Sequence, residues 1–226
     1  MQSTLYITPT PIGNYEDITL RAIKMLSEAD FIFCEEIKPA NRLLAHLKIS
    51  KQLIPLNEHN EKEIVDEIIG KLKEESRTAA LISDGGTPLF SDPGHYLVEQ
   101  CITNKINIVP LPGANSLIPA LVSSGFNIEK FYYYGWLSPK NEIRKNELLK
   151  LKKIKELIVI LETPYRLKRL LTDVVTFFGP HQKISLAFNI SMKDERIYRN
   201  SASVILKIAT ENNLKGEFVL LVDNRN

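Results

Sequence analysis

Cysteine is scarce in this chain: Cys34 and Cys101 are the only two among 226 residues. Both sit in apolar stretches, and the sequence holds no CxxC and no HExxH. A disulfide framework and a structural zinc module are therefore excluded, no metal centre is expected, and the thiols read as reduced core residues in a reducing compartment. No apolar run is long enough to span a bilayer. Met1-Gln2-Ser3-Thr4 runs straight into a strand-like segment, without the pattern of a signal peptide. The expectation is a cytoplasmic protein with no membrane contact. Missing too are the GxGxxG fingerprint and the Walker loop, which argues against dinucleotides and nucleoside triphosphates bound in the usual mode. There is no internal repeat, no low-complexity tract and no disordered tail.

What is present is ordinary in bulk and uneven in distribution. Hydrophobic residues make up 44% and charged residues 25%, as in soluble globular proteins. The length suits one large domain or two small ones, each able to bury a core without staples. The net charge of +2 hides an asymmetry. Residues 1–128 carry 11 Lys or Arg against 16 Asp or Glu, and residues 129–226 carry 18 against 11. The densest basic run, 138–169, holds ten Lys or Arg and four Glu. Such a half can meet a polyanion, or it can present solvated helix faces; charge alone leaves both open.

Short β-rich runs alternate with amphipathic stretches. Leu5–Thr8, Phe31–Cys34, Gln52–Leu56, Thr78–Ser83 and Asn107–Leu111 read as strands, with helices near 18–28, 39–47, 60–75 and 93–104. Glu61, Ile64, Val65, Ile68, Ile69 and Leu72 fall on one helix face, apolar but for Glu61 and so predicted to be buried. This alternation predicts an α/β domain with a mostly parallel sheet, over residues 1–112. The second half reads as strands at Phe131–Trp136, Leu157–Leu161, Ile184–Phe188, Glu195–Arg199 and Glu217–Val222. Helices are expected near 115–123, 141–153, 164–178 and 201–212. A hairpin around Met192–Asp194 makes the second domain, 113–226, a mixed sheet with helices.

Three loops follow predicted parallel strands, and each is weak alone. Thr8-Pro9-Thr10-Pro11-Ile12-Gly13-Asn14 leaves the first strand at the edge where open parallel sheets bind ligands, and Asp17 is placed to cap the next helix. Ser83-Asp84-Gly85-Gly86-Thr87-Pro88 leaves an apolar strand. Its glycines allow close backbone approach, and Asp84 can bind a ribose hydroxyl or a ligand's amino group. Asp92 reads as an N-cap with Pro93 opening the helix. Pro110-Leu111-Pro112-Gly113-Ala114-Asn115-Ser116 offers donors at a helix start, for a ligand or as a plain cap. If the strands lie side by side, the three loops meet along one sheet edge.

At these loops the sequence resembles the tetrapyrrole methylase superfamily, and within it the bacterial 16S rRNA cytidine 2′-O-ribose methyltransferase family. The matching segments are Thr10–Asn14, Asp17–Ala22, Glu58–Glu61, Ser83–Pro88 with Ser91–Gly94, Pro110–Gly113, Gly135–Lys140 with Arg144, Glu162–Arg166 and Lys215–Val219. The resemblance implies two α/β domains of the tetrapyrrole methylase type, S-adenosylmethionine in the cleft between them, and a homodimer. It points to Pro11, Ser83, Asp84, Gly85, Pro88, Asn115 and Ser116 as cofactor contacts, with Glu162 and Ile190 from the second domain. Glu162 can equally pair with Arg166. Two segments depart from the family. Its Glu-Asp-Thr-Arg appears as Glu35-Glu36-Ile37-Lys38, and its Arg-Glu-Leu-Thr-Lys as Phe188-Asn189-Ile190-Ser191-Met192. An Arg and a Lys expected near an RNA phosphate are thereby absent.

Methyl transfer from a sulfonium is an in-line displacement, chiefly a matter of positioning. A ribose hydroxyl is a poor acid, so a base or polarising group helps. Glu35, Glu36 and Glu58 are the catalytic candidates, with His59 beside Glu58; Glu35 and Glu36 can also be surface charges or partners of Arg42. Lys140, Arg144, Lys145, Arg166 and Arg169 are the candidates for RNA phosphate contacts. Tyr132, Tyr133, Tyr134 and Trp136 lie on one strand, where alternate members pack inward and the others can stack on a base or bury a dimer face, the dimer face being the reading preferred. The expected function is 2′-O-methylation of a 16S rRNA ribose. A methylase of a tetrapyrrole or other small molecule, and a non-catalytic binding protein of the same fold, are the alternatives.

Overall fold

The computed structural model describes residues 3–57, 60–74, 77–90 and 92–225. The chain divides into two units, one ending at Asn115 and the other beginning at Ser116. The first unit is built on strands β1 (Thr4–Ile7), β2 (Phe31–Cys34), β3 (Gln52–Pro55), β4 (Thr78–Leu81) and β5 (Asn107–Pro110). They pair in the order β3-β2-β4-β1-β5, every pair parallel. Four helices connect them: α1 (Leu20–Glu28), α2 (Ile37–His46), α3 (Glu61–Glu74) and α4 (His95–Thr103).

Strand periodicity of two sorts the side chains onto the two faces. Leu5, Phe31, Phe33, Ala79 and Leu81 pack against Val65, Ile68, Ile69 and Leu72 of α3 and against Leu97 and Cys101 of α4. Ile32, Cys34, Ala80 and Ile82 point the other way, onto Leu26 of α1 and Ala40 and Leu44 of α2. Both faces are covered, which is why these strands read as continuous apolar runs.

Glu61 explains its own exception on the α3 face. Its Oε1 accepts the backbone N–H groups of Tyr96 (2.9 Å) and Leu97 (3.2 Å), so α3 caps the start of α4. Asp92 and Pro93 are not the cap and first turn. Helix α4 begins two residues later, with Gly94 at the N-cap in a left-handed conformation (φ 119°). A Cβ there would lie 2.8 Å from Leu81 Cδ2. Asp17 is likewise not the cap of α1. It ends a single 3-10 turn, Tyr15–Asp17, and Thr19 caps α1 by accepting the Ala22 N–H at 3.0 Å.

The second unit holds β6 (Phe131–Trp136), β7 (Leu157–Leu161), β8 (Lys183–Phe188), β9 (Arg196–Ser201) and β10 (Phe218–Asp223), ordered β6-β7-β10-β8-β9. Only β6 and β7 are parallel. Helices α6 (Asn141–Leu151), α7 (Leu167–Phe178) and α8 (Ala202–Glu211) cover one face, and α5 (Leu117–Ser123) packs on the other. The hairpin joins β8 to β9. Strand β6 lies at the sheet edge. Tyr133 and Tyr134 pack against the two cores, while Phe131, Tyr132 and Trp136 stay exposed.

Candidate functional site

Strand order decides where the loops meet. Because β1 lies between β4 and β5, the loops that leave the C-terminal ends of these strands are neighbours. They are joined by hydrogen bonds. Thr10 and Gly86 exchange backbone bonds, both 2.9 Å. The buried Thr10 hydroxyl donates to the Ser83 carbonyl at 3.1 Å, and the Thr87 hydroxyl to the Ala114 carbonyl at 3.2 Å. Gly113 approaches so closely that a Cβ would sit 2.6 Å from Pro9 Cβ. Pro88 and Ser83 are buried, and the Ser83 hydroxyl is spent within its own turn on the Gly86 carbonyl (3.1 Å). Asn115 is half-buried and closes the first unit; Ser116, also half-buried, precedes α5 and makes no side-chain capping bond.

A cavity of about 300 Å³ opens between the loop after β1, the loop after β4 and α2. Pro11, Ser83, Asp84 and Gly85 line it, so four of the expected cofactor contacts border one cavity. The Asp84 carboxylate is turned toward α2, where its Oδ1 accepts the Glu36 N–H at 3.3 Å. Burial lifts the Asp84 carboxyl above its ordinary value; the Glu36 N–H pulls it down, and the Glu36 charge adds to the lift. Asp92 is raised as well, by burial and then by the Asp84 charge. The Cys34 thiol is pushed up to about 11 by burial and by Asp84. Anionic charge thus concentrates at the end of β2 and β4.

Of the catalytic candidates, Glu35 is half-buried and Glu36 exposed, both between β2 and α2. Glu58 and His59 lie outside the described residues. Neither Glu35 nor Glu36 pairs with Arg42. That arginine lines the cavity from α2, with no ion pair or hydrogen bond to a described residue. Sequence pattern alone does not single out Arg42 or Tyr15 as site residues. The usable signal is the helical spacing of Pro39, Arg42 and Leu43, which puts all three on one face of a helix that opens directly from a strand end.

In the second unit the structure corrects two expectations. Arg144 is not a surface cation: it is 2% exposed, its Nε donates to Asp173 Oδ2 at 2.6 Å and its Nη1 to Glu162 Oε2 at 3.0 Å. It has no reach to a phosphate. Glu162 is buried in the same cluster, holding Arg144, Arg166 (3.3 Å) and the Thr163 N–H (2.9 Å). Its carboxylate is saturated by protein donors and is not free for a cofactor. Ile190 packs on the α5 face of the sheet, between Asn189 (φ 49°) and Ser191 (φ 67°), both left-handed. Lys140, Lys145 and Arg169 are exposed, with Arg169 bonded to Asn141, and Arg166 is half-buried.

The family model for tetrapyrrole (corrin/porphyrin) methylases matches residues 4–205. The chain belongs to the tetrapyrrole methylases. Among curated relatives, ribosomal RNA small subunit methyltransferase I of Vibrio cholerae is 40% identical over 220 residues, 96% of this chain and 76% of the relative. The proteins of the same name from Synechocystis and Bacillus subtilis are 38% and 37% identical, covering 96% and 98% of this chain and 78% and 75% of theirs. Among solved structures, a diphthine synthase aligns with a TM-score of 0.76 at 13% identity, over 97% of this chain and 89% of that one. A uroporphyrin-III-C-methyltransferase from Thermus thermophilus aligns at 0.67 and 18%, over 99% and 96%. These two likenesses establish the shared fold of two α/β units.

Proposed function

We propose that this tetrapyrrole methylase is an S-adenosylmethionine-dependent enzyme that methylates the 2′-hydroxyl of a ribose in 16S ribosomal RNA, in the cytoplasm. The observation that carries the reading is the bonded triple loop at the C-terminal edge of the parallel sheet, with its cavity, in a chain whose relatives carry the name of small-subunit rRNA methyltransferases. Ligands of open α/β sheets bind at this edge.

The residues present fit the cofactor. S-adenosylmethionine is cationic at sulfur and at its amino group, and it carries two ribose hydroxyls and a flat base. Asp84 supplies a carboxylate for the amino group or hydroxyls, and Pro11, Ile12 and Ile82 supply apolar wall. Pro11, Ser83, Asp84, Gly85, Pro88, Asn115 and Ser116 are the proposed contacts, joined by the Ile190 segment. The bound cofactor supplies an activated methyl group; the protein supplies position and a site shielded from water. Lys140, Lys145, Arg166 and Arg169 are the proposed phosphate contacts, where their charge attracts RNA over distance. Glu35 and Glu36, beside the cavity, are the proposed polarising groups for the acceptor. The exposed aromatics of edge strand β6 are the proposed homodimer face.

The test is twofold. Calorimetry of the intact protein with S-adenosylmethionine gives saturable binding, weakened in Asp84→Ala. Incubation with small ribosomal subunits and methyl-labelled cofactor then yields one 2′-O-methylated nucleoside in digested 16S rRNA. Labelling of a base or of a tetrapyrrole instead of a ribose refutes the proposed acceptor, and absence of cofactor binding refutes the whole reading.

A further inference from the structure

We propose that the turn after β7 is a base-stacking platform for single-stranded RNA, with Tyr165 as the stacking residue. This assignment rests on the reading of the protein as an RNA methyltransferase, and it adds to the phosphate contacts a residue that meets the face of a base.

Tyr165 is 92% exposed, the most exposed large apolar side chain among the described residues. No described residue bonds its hydroxyl or stacks on its ring. The backbone beneath it is nevertheless pinned. Tyr165 is the middle residue of the single 3-10 turn Pro164–Arg166. Before it, the Thr163 N–H donates to the buried Glu162 carboxylate at 2.9 Å. After it, the Arg166 N–H donates to the Thr163 carbonyl at 2.9 Å, and Arg166 Nη1 lies 3.3 Å from Glu162. Pro164 fixes one more dihedral, and Leu167 is buried. A tyrosine ring turns about two bonds only, so a ring held out on a fixed turn loses little freedom on docking.

Topology supplies the charge. Strands β6 and β7 are parallel neighbours, with Trp136 opposite Leu161 at their ends. The segments that leave them, 137–140 and 162–166, therefore emerge side by side, at the sheet edge that takes ligands in open α/β sheets. Two bonds tie the helices that follow: Arg144 of α6 to Glu162 at 3.0 Å, and Arg169 of α7 to Asn141, the neighbour of Lys140. Lys168 and Arg169 lie three and four residues beyond Tyr165, about one helical turn on. The carboxylates of Glu162 and Asp173 are engaged by Arg144 and Arg166. In segments 138–145 and 162–169 this leaves Lys140, Lys145, Lys168 and Arg169 against Glu142 alone.

A bare ring within an excess of cations suits a polyanion that offers flat faces. Phosphates meet the cations and an unstacked base meets the ring. An A-form duplex keeps its base faces inside the stack, so the ring selects unpaired RNA. It does so with little regard to sequence, because every base has a π face. A dimer face at this place would set the cationic surface against its own copy.

The test follows the fluorescence anisotropy of labelled short oligo(U) and oligo(A), and of an RNA duplex, with the full chain at several salt concentrations. Tyr165 is almost fully exposed, so Tyr165→Ala keeps the parent's circular dichroism and its S-adenosylmethionine isotherm. It weakens both single strands about tenfold, the loss of one stacked base, with the salt slope of the parent. Tyr165→Phe binds as the parent does. Lys140→Gln lowers the salt slope by about one. The duplex binds more weakly than either single strand and does not respond to Tyr165→Ala. Equal affinity of the parent and Tyr165→Ala for single strands, or no affinity in either, overturns the platform, and so does tighter binding of the duplex. A Tyr165→Ala protein that elutes at half the parent's mass assigns the ring to a subunit interface and overturns it too. Single strands bound through Tyr165 by a protein that transfers no methyl group to 16S rRNA leave the platform standing and refute the proposed function. Methylation of 16S rRNA by Tyr165→Ala at the parent's KM for the small subunit does the reverse.

Discussion

Glu162→Gln is the substitution whose cost the structure fixes best. The Glu162 carboxylate is fully buried and takes Arg144 Nη1 at 3.0 Å, Arg166 Nη1 at 3.3 Å and its neighbour's backbone N–H at 2.9 Å. With Asp173 at 2.6 Å from Arg144 Nε, the cluster has two arginines and two carboxylates and is neutral. Glutamine keeps one acceptor oxygen, removes the charge, and turns an NH2 group against a guanidinium. The cluster becomes cationic inside unit 2, around an Arg144 only 2% exposed. Breaking a buried pair by removing one partner costs about 3–5 kcal/mol. Asp173 remains, which sets the expected loss near the lower end, ~3 kcal/mol. For a chain of this length that is a fall in Tm of roughly 6–12 °C.

Urea denaturation followed by circular dichroism measures the loss, together with Arg144→Met, Glu162→Leu and the double variant Arg144→Met/Glu162→Leu. Apolar replacement of both partners removes the stranded charge, so the double variant loses less than Glu162→Gln alone. Two outcomes refute the reasoning: a loss below about 1 kcal/mol for Glu162→Gln, or single-variant losses that simply add in the double. Either would mean that water, not the opposite charge, satisfies these groups.

Three further outcomes are expected. Gly113→Ala drives a Cβ to 2.6 and 2.9 Å from two carbons of the Pro9 ring; it costs ~1–3 kcal/mol and separates the loops after β1 and β5, which a weaker S-adenosylmethionine isotherm reports. Glu61→Ala frees the N–H groups of Tyr96 and Leu97; their amide exchange accelerates, and stability falls by ~1–2 kcal/mol. Burial pushes the thiols of Cys34 and Cys101 up to about 11 and about 12, from an ordinary 9.0. Both should resist a disulfide reagent at pH 8 until the chain is unfolded. The folded state then holds these protons longer than the unfolded one, so their contribution is complete below pH 9 and lost as pH rises toward the folded values. The slope is ~1.4 kcal/mol per pH unit per thiol, and urea titrations at pH 8 and pH 10 measure it.

The layers of this fold were legible because burial imposes them locally. Runs such as Phe31–Cys34 and Leu157–Leu161 are apolar on both faces, and only a covered sheet accepts that. The caps were harder. Asp17 and Asp92 have the right chemistry, yet Thr19 and Gly94 take the positions. Several polar residues near a helix start satisfy the same local rule, and the donor groups of α4 find their partner on Glu61, 35 residues away. Arg144 was misplaced for a different reason. Counted with its neighbours it belongs to a basic run, but counted by helical period it shares a face with Leu148 and Leu151, all three buried. The period held the answer, and the run concealed it.

The site depended on something no local pattern contains. Three loops, each a weak signal alone, come together only because β1 inserts between β4 and β5. Strand order is a property of the whole unit: the chain passes from β1 to β2 and β3 before β4 returns to the gap. Asp84, whose loop follows β4, thereby gains the loop after β1 on one side and α2 on the other. Arg42 lines the cavity for the same reason. Its helix leaves β2, and β2 is the other neighbour of β4. A substitution that altered this order would scatter the loops without touching one of their residues. The site's chemistry is therefore inseparable from the core contacts that set the order.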